Sequence, residues 1–316
     1  MASLAADAAP PDALRARPAR SIDEGLLLGG LAVALFALTT PMTRLAVGAD
    51  ASPALSPMFV TVGRAAAAGL LAMAYLAAVR APRPQWRRDA TALAFCALGT
   101  VVGFPLFLAL ALRKVDAVHA AVVTGVIPLA TAAVAAAVAL SAAQRPRPAF
   151  WVAALAGAAL VLGHAVWRGA GALGTGDLLL LGAVLSAAIG YVAGARLSER
   201  MPPSHVVSWV LVLSLPATLP ATLAVWPERA TGAASWIGFA YVSLVSMWLA
   251  FFAWYRALAV GGTLRVSQVQ LVQPFLSMLF AVPLLGESID APTLAVAVSV
   301  AAVVLVARRL AVKKRA

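Results

Sequence analysis

Residues 118–142 read VHAAVVTGVIPLATAAVAAAVALSA, an apolar run with a proline, Pro128, near its middle. A helix needs about 20 apolar residues to cross roughly 30 Å of hydrocarbon. Runs of similar length recur along almost the whole chain, and a soluble core could not bury so many of them. The stretch therefore predicts a transmembrane helix, and its repetition predicts a polytopic membrane protein.

The composition supports this class. Hydrophobic residues make up 63% of the 316 and charged residues 11%, whereas a soluble domain is about half apolar and about a quarter charged. We predict an all-α polytopic membrane protein with ten transmembrane helices. They are placed at 25–46, 57–79, 90–112, 118–142, 150–167, 177–195, 205–226, 235–258, 266–285 and 291–308. Residues 1–24 are predicted to form a disordered cytoplasmic tail, and residues 310–316 a basic one.

The basic residues predict the orientation. Of the 24 Lys and Arg residues, four fall in connections on the side away from the chain ends, Arg113, Lys114, Arg168 and Arg229. Three more, Arg44, Arg64 and Arg256, fall within helices, and the remaining seventeen lie on the side of the chain ends. Positive residues are retained on the cytoplasmic side. We therefore expect both termini in the cytoplasm of a cell inner (plasma) membrane. The same bias explains the net charge of +12 without a nucleic-acid partner.

The chain also carries an internal repeat. An offset of 146 residues places Pro128 on Pro274, and an offset of 152 places Arg44-Leu45 on Arg196-Leu197. The two copies are predicted to occupy residues 25–168 and 169–309, with five helices each. Because five is odd, the second copy enters the membrane from the opposite face, so the repeats are inverted. Inverted repeats are typical of carriers that alternate between two openings.

Two segments near the end of the chain resemble a known family. Gln270-Leu271-Val272-Gln273-Pro274-Phe275 is followed by Leu284-Leu285-Gly286-Glu287. Together with the two five-helix halves, Ala257-Leu258 and Arg64, this order is similar to that of EamA-type transporters of the drug/metabolite transporter superfamily. The resemblance covers about residues 25–308. It implies transport of amino acids, other small metabolites or drugs, often outward, without a bound cofactor. One departure is visible, because Gln144-Arg145 stands where the first half of the family pattern carries a glutamate.

The acidic residues argue against one coupling mechanism. Every Asp and Glu falls in a tail, a connection or at a helix end, whereas proton-driven carriers commonly use a carboxylate inside the membrane. Coupling would therefore need His119, His164 or an exchanged solute, and facilitated diffusion stays open. For each histidine we favour an interfacial position where the ring reaches water. No cluster of Cys, His and carboxylates has metal-ligand spacing, so neither a metal nor a cofactor is expected.

Polar residues of the ninth helix indicate a substrate cavity. Ser267, Gln270, Gln273 and Ser277 recur at intervals of three, three and four beside Pro274. In hydrocarbon an amide must find a partner, so this stripe should face protein or a watery cavity. We favour a cavity because Pro274 leaves a backbone carbonyl free; interhelical hydrogen bonding is the alternative.

Charged and aromatic residues complete the candidate set. Arg64 lies about two turns inside the second helix, where burying its guanidinium costs a few kcal/mol and so needs a reason. It is expected to bind a substrate carboxylate or to cap carbonyls of a neighbouring helix. Trp248 and Phe252 could stack on a solute, although core packing is the more common role of such residues. The predicted substrate-binding residues are Thr39, Thr40, Arg64, Thr124, Tyr191, Trp248, Phe252, Ser267, Gln270 and Gln273.

These observations predict a carrier rather than an enzyme. We expect movement of small metabolites, amino-acid-like or amphipathic, by alternating access, with export favoured. The partners are a small-molecule substrate and the lipid bilayer, and a homodimer stays open. A sugar-nucleotide-type exchanger would need several cavity Arg or Lys residues, and only Arg64 is well placed. An intramembrane lipid-modifying enzyme would need a nucleophile or metal cluster, and a sensor a soluble output domain; the sequence shows neither.

Overall fold

The computed structural model describes residues 19–138, 148–169, 171–228, 230–261 and 266–311. Within these ranges the chain forms ten helical spans, as predicted. Their bounds are Ala19–Ala37 with Thr39–Val47; Pro57–Ala78; Trp86–Cys96 with Ala97–Gly103 and Phe104–Ala111; Ala117–Thr124 with Ile127–Ala137; Pro148–Arg168; Thr175–Ser198; Pro203–Ala224; Ala233–Ala240 with Tyr241–Leu249 and Ala250–Gly261; Ser267–Val272 with Gln273–Leu285; and Ala291–Ala311. Two short strands, β1 (Gly48–Ala49) and β2 (Ser52–Pro53), pair after the first span.

The spans have the length and composition of membrane helices. Eight described helices are long and apolar enough to cross a bilayer, and 269–285 and 291–307 are shorter apolar helices. Connections after the odd-numbered spans meet at one end of the bundle, where Asp50 pairs with Arg113 and Arg168 with Asp290. We call this end the distal face, and the opposite end, where the chain enters the first span, the terminal face.

Packing between the spans reflects the duplication. The second span packs on the seventh, the fourth on the ninth and the fifth on the tenth, so each pairs with its counterpart in the other half. The first span packs on the eighth, and the sixth packs in the same way on the third. Exchanging the two halves leaves this set of neighbours unchanged. The chain is thus two related halves of five helices that interlock across a pseudo-twofold axis.

Helix irregularities fall at equivalent places in the two halves. The third and eighth spans contain π-helical segments, Ala97–Gly103 and Tyr241–Leu249, whose last residues are 146 apart. The fourth and ninth spans begin a new helix at Ile127 and Gln273, also 146 apart. In both cases the next residue is the proline of the repeat, which fits the first turn of a helix because its missing N–H has no partner there anyway. The offset found in the sequence is therefore an offset between structural elements.

The third and sixth spans approach each other closely at glycines. A Cβ added to Gly99 would lie 2.5 Å from the carbonyl oxygen of Ser186 and 2.6 Å from Cα of Gly190. Both neighbours are backbone atoms, so they could yield only if the helices separated. A side chain at residue 99 is therefore incompatible with the observed distance between these spans.

Candidate substrate site

A buried polar cluster lies where the first, second and eighth spans meet. The hydroxyl oxygens of Thr39 and Ser246 are 2.7 Å apart, and Nη2 of Arg64 donates to the Ser246 hydroxyl at 3.2 Å. All three side chains are buried. We call Thr39, Arg64 and Ser246 the central cluster. Since Thr39 and Arg64 belong to the first half and Ser246 to the second, the cluster joins the two halves.

Local backbone irregularity positions two members of this cluster. The first span is interrupted at Leu38, so Thr39 opens a new helical segment. Ser246 lies within the π-helical segment of the eighth span, and π-helical segments are frequent at functional sites. The carbonyl of Thr39 accepts from the Thr43 hydroxyl at 2.7 Å, while the Thr39 hydroxyl meets Ser246.

Only some of the hydrogen-bond donors of Arg64 have a partner in this cluster. The residue is 3% exposed, and among the described residues its Nε and Nη1 atoms have no hydrogen-bond partner. A buried donor without a partner costs about 1–3 kcal/mol, and more when the group is charged. No carbonyl of the described residues accepts from this guanidinium, so capping of neighbouring carbonyls, one of the two predicted roles, is not seen there. A negatively charged acceptor entering the site would satisfy the guanidinium.

Tyr191 of the sixth span lies within electrostatic range of this cluster. It is close enough to Arg64 and Cys96 to interact with them electrostatically, and Tyr255 is in turn close to Tyr191 and Cys96. Although these neighbours come from the second, third and eighth spans, Tyr191 is 42% exposed. A side chain that is surrounded by other spans and yet exposed lines an open space within the bundle. Tyr255 was not among the predicted site residues.

Trp248 and Phe252 belong to an aromatic cluster nearer the terminal face. Their rings lie 4.9 Å apart, and both contact the ring of Tyr75, at 5.9 and 5.0 Å. Nε1 of Trp248 donates to the hydroxyl of Ser208 at 3.2 Å. These contacts tie the second, seventh and eighth spans together. They are the packing contacts expected of aromatic residues, and the site prediction for the pair remains untested.

The polar stripe of the ninth span lies elsewhere. Ser267–Val272 is a 3₁₀ helix rather than part of one α-helix, so the α-helical spacing used in the prediction was wrong there. Three residues per turn nevertheless align the backbone positions of Ser267, Gln270 and Gln273; the side chain of Ser267 lies outside the described residues. Gln270 lines a crevice with Pro128 and Pro274, against the fourth and tenth spans. Gln270 and Gln273 are both half-buried.

The two remaining candidates lie in the wall of the bundle. Thr40 is buried next to Thr39. Thr124 is half-buried, and its hydroxyl donates to the carbonyls of Ala120 and Ala121 at 2.8 and 3.3 Å. The structure thus brings Thr39 and Arg64 together through Ser246, with Tyr191 in electrostatic range of Arg64, and it gives Trp248, Phe252 and Gln270 other partners. Ser246, which completes the central cluster, was not among the predicted site residues.

The distal face is held together by contacts between the two halves. The amides of Ala117 and Val118, at the start of the fourth span, donate to the two carboxylate oxygens of Glu287 at 2.8 and 2.7 Å. Burial raises the pKa of Glu287, and these two hydrogen bonds oppose that shift. A carboxylate at a helix N-terminus is also favoured by the helix dipole. Glu287, the glutamate of the family-like segment, therefore fastens the second half to the first.

One distal residue differs from the sequence interpretation. His119 was expected at the interface in contact with water; it is 4% exposed, and its Nε2 lies 2.7 Å from Oδ1 of Asp177. Near it, Nη1 of Arg44 donates to the carbonyls of Leu112 and Val115. Neither contact has a signal in the sequence, because the partners are far apart along the chain.

Comparison with known proteins decides the family. A sequence profile of the EamA-like transporter family matches residues 23–163 and again 174–308. The chain belongs to the EamA-like transporter family. This EamA-family chain is therefore a membrane transporter with two EamA halves, not an enzyme, as the sequence predicted.

Two similar proteins extend the comparison. The uncharacterized transporter YdeK of Bacillus subtilis (strain 168) is 42% identical over 289 residues, which is 91% of this chain and 98% of YdeK. One solved crystal structure, 22% identical in sequence, matches with a TM-score of 0.58 over 91% of this chain and 99% of its own. That structure supports the fold alone.

Removal of the Glu287 carboxylate should loosen the distal face. We expect Glu287→Ala to lower stability by about 0.5–2 kcal/mol, the usual cost of losing a helix N-terminal cap. Thermal unfolding of the purified protein in detergent should show a midpoint several degrees lower. Glu228→Ala, which changes an exposed glutamate of another distal connection, should leave the midpoint unchanged. Equal midpoints for the two variants would contradict the role given to Glu287.

Proposed function

We propose that the chain is an inner-membrane carrier of small, carboxylate-bearing metabolites, amino-acid-like or amphipathic, that binds them at the central cluster. The observation that carries the proposal is the buried guanidinium of Arg64, with two nitrogens left without partners among the described residues. A substrate carboxylate matches a guanidinium in charge and in its planar, paired oxygens. The hydroxyls of Thr39 and Ser246 beside it can donate to or accept from a polar substrate.

Alternating access is the proposed mechanism. The central cluster joins two inverted halves, so rocking of one half against the other would expose it to either side. In the fourth span, all residues from Ala117 to Val123 are buried, whereas in 127–137 only Leu129 is. Tight packing at the distal face, with Tyr191 exposed inside the bundle, supports a conformation closed at the distal face and open toward the terminal face.

The orientation and direction of transport are part of the same proposal. The excess of Lys and Arg near the terminal face supports a cytoplasmic position for that face and for both termini. The conformation would then be inward-facing and would load substrate from the cytoplasm. Export is the direction that the family resemblance favours. Formation of a homodimer stays a prediction.

A sugar-nucleotide-type exchanger fits the central cluster less well. A nucleoside diphosphate carries at least two negative charges on its phosphates, which calls for several cationic side chains. Among the described residues, Arg64 is the one buried arginine or lysine. A single guanidinium matches a single carboxylate better than it matches a diphosphate.

Counterflow in proteoliposomes tests the carrier directly. Vesicles loaded with one unlabelled amino acid are given the labelled form outside, for each member of a panel of amino acids. We expect saturable accumulation for at least one member and none in protein-free vesicles.

Two variants, Trp248→Ala and Gln270→Ala, distinguish the alternative sites. Weakened exchange would add that residue to the site, and unchanged exchange would confine the site to the central cluster. Absence of counterflow for every member, from folded protein, would contradict the proposed substrate class.

A further inference from the structure

A second buried group of ionisable residues lies at the distal face, away from the central cluster. His119, at the start of the fourth span, contacts Asp177, at the start of the sixth, through Nε2 and Oδ1 at 2.7 Å. His164 of the fifth span stacks on His119 with ring centroids 5.3 Å apart. The three side chains are 4%, 6% and 3% exposed. We call them the His–Asp–His cluster.

The hydrogen bonds of this cluster leave ring nitrogens available to bind a proton. The second oxygen of Asp177 accepts from the amide of Gly174 at 2.9 Å, so the carboxylate is anchored on both sides. Among the described residues, Nδ1 of His119 and both ring nitrogens of His164 have no partner. A neutral imidazole has one donor and one acceptor, whereas a charged one has two donors. Both rings can therefore take up a proton without breaking an existing hydrogen bond.

Charged groups of both signs surround the cluster. Arg168, at the end of the fifth span, and Asp290, after the ninth, interact with His164 and pair with each other, and Asp116 lies 3.8 Å from the same arginine. Glu287 binds the amides of Ala117 and Val118 just before His119, and Arg44 binds the carbonyls of Leu112 and Val115. Burial and the neighbouring Arg168 disfavour a charge on His164, whereas His119 contacts the Asp177 carboxylate directly. A buried carboxylate needs a compensating charge, and a protonated His119 would supply it. Because like charges on stacked rings repel each other, the cluster would hold one extra proton at a time.

A metal ion is a poorer occupant. Among the described residues, no group of three or more His, Cys, Asp or Glu side chains is placed to hold one. The two imidazoles are stacked face to face, tilted by 28°, whereas ring nitrogens that share a metal point toward a common centre. The geometry thus suits a bound proton better than a coordinated metal ion.

Because the cluster lies between the two halves, binding of a proton there would affect how they move apart. His119 belongs to the first half and Asp177 to the second, and both lie at the face where the halves are fastened together. We propose that the His–Asp–His cluster is a proton-binding site: a protonated His119 holds the distal face closed, and loss of the proton lets that face open. This inference rests on the proposed alternating access, because only a carrier that opens the distal face would separate the pair.

The effect of pH follows from this assignment. A charged His119 would attract the Asp177 carboxylate and so favour the closed distal face. Loss of that proton at higher pH would remove the charge attraction, so the distal face would open more often. The third histidine, His205, lies at the start of the seventh span near the terminal face, next to Tyr75. It is the matched control, because it is the remaining histidine of the chain and lies away from the distal face.

Accessibility of a buried thiol tests the proposal without a transported substrate. In a Cys96→Ala background, Ser277→Cys places the only thiol on the distal half of the ninth span, where Ser277 is buried. The rate of modification by a membrane-impermeant maleimide is measured in vesicles of both orientations. Each rate is divided by that of Ser52→Cys, an exposed distal residue. The ratio removes the intrinsic pH dependence of thiolate reactivity.

The expected result is a pH-dependent ratio that requires His119. Between about pH 5.5 and about pH 7.5, where histidine changes charge, the ratio should rise by about fivefold or more. His119→Gln and Asp177→Asn should give a high ratio at both pH values, and His205→Gln should keep the rise. A flat ratio in the parent, or an unchanged rise in both His119→Gln and Asp177→Asn, would overturn the proposal. Size-exclusion profiles matching the parent show that a variant is folded.

The two experiments distinguish failure of the proton-site proposal from failure of the carrier proposal. Counterflow with a pH-independent thiol ratio would retain the carrier and reject the proton site. A pH-dependent ratio without counterflow of any amino acid would retain the proton site and reject the substrate class.

Discussion

Replacement of Arg64 by glutamine should strongly weaken exchange of carboxylate-bearing solutes. Removing one partner of a buried, hydrogen-bonded charge pair costs about 2–5 kcal/mol, which corresponds to roughly 30-fold or more in affinity at 1.4 kcal/mol per factor of ten. Arg64→Lys keeps the charge but loses the planar fork, so we expect partial activity. Counterflow across a range of concentrations gives the apparent affinity of each variant.

The control for Arg64 is an arginine outside the central cluster. Arg256 is exposed, and its Nη2 lies 3.8 Å from Glu24 near the terminal face. Arg256→Gln should therefore exchange solutes as the wild type does. Because removal of a buried charge can stabilise a protein, loss of exchange by Arg64→Gln should occur without loss of thermal stability. Full exchange by folded Arg64→Gln would contradict the assigned role.

A methyl group at Gly99 should disrupt the packing of the third span on the sixth. The added Cβ of Gly99→Ala would meet the Ser186 carbonyl oxygen at 2.5 Å and the Gly190 backbone at 2.6 Å. Overpacking of this kind typically costs about 1–3 kcal/mol. We expect a lower yield of folded protein and an unfolding midpoint several degrees below that of the wild type.

A second glycine provides the comparison for Gly99. Gly163 lies in the fifth span, and a Cβ there meets no atom within 4 Å. Gly163→Ala should be neutral or slightly stabilising, since alanine favours helix over glycine by about 1 kcal/mol. If the two substitutions lower the midpoint equally, close backbone contact is not what requires glycine at residue 99.

The sequence predicted the arrangement of helices well because hydrophobic length is a strong constraint in a membrane. The described bounds of the second span, Pro57–Ala78, differ by one residue from the predicted 57–79. The repeat offset derived from Pro128 and Pro274 also separates the helix starts at Ile127 and Gln273. The π-helical and 3₁₀ segments were not predicted, because α, 3₁₀ and π helices of the same composition have the same hydropathy.

The site was harder to predict because its contacts join residues that are far apart in the sequence. Arg64 could be singled out, since a charge deep in an apolar helix is rare. Its partner Ser246 could not be, because a serine in an apolar helix usually bonds its own backbone, as Ser243 does to the Phe239 carbonyl. His119 and Asp177 each lie at a helix end, where water is the expected neighbour. Only the packing of the fourth span on the sixth buries them together.

Access to the interior from the terminal face is the most direct test of the account. In a Cys96→Ala background, Tyr191→Cys places a thiol on the sixth span within electrostatic range of Arg64, and Leu155→Cys places one on the outside of the fifth span, where Leu155 is 71% exposed. Both residues lie seven positions from the terminal end of their span. A membrane-impermeant maleimide should reach position 191 from the terminal face at least about tenfold faster than position 155, since a lipid-facing thiol seldom meets water. A solute that shows counterflow should slow the reaction. Equal rates at the two positions, or no protection by such a solute, would contradict a carrier that binds substrate at the central cluster.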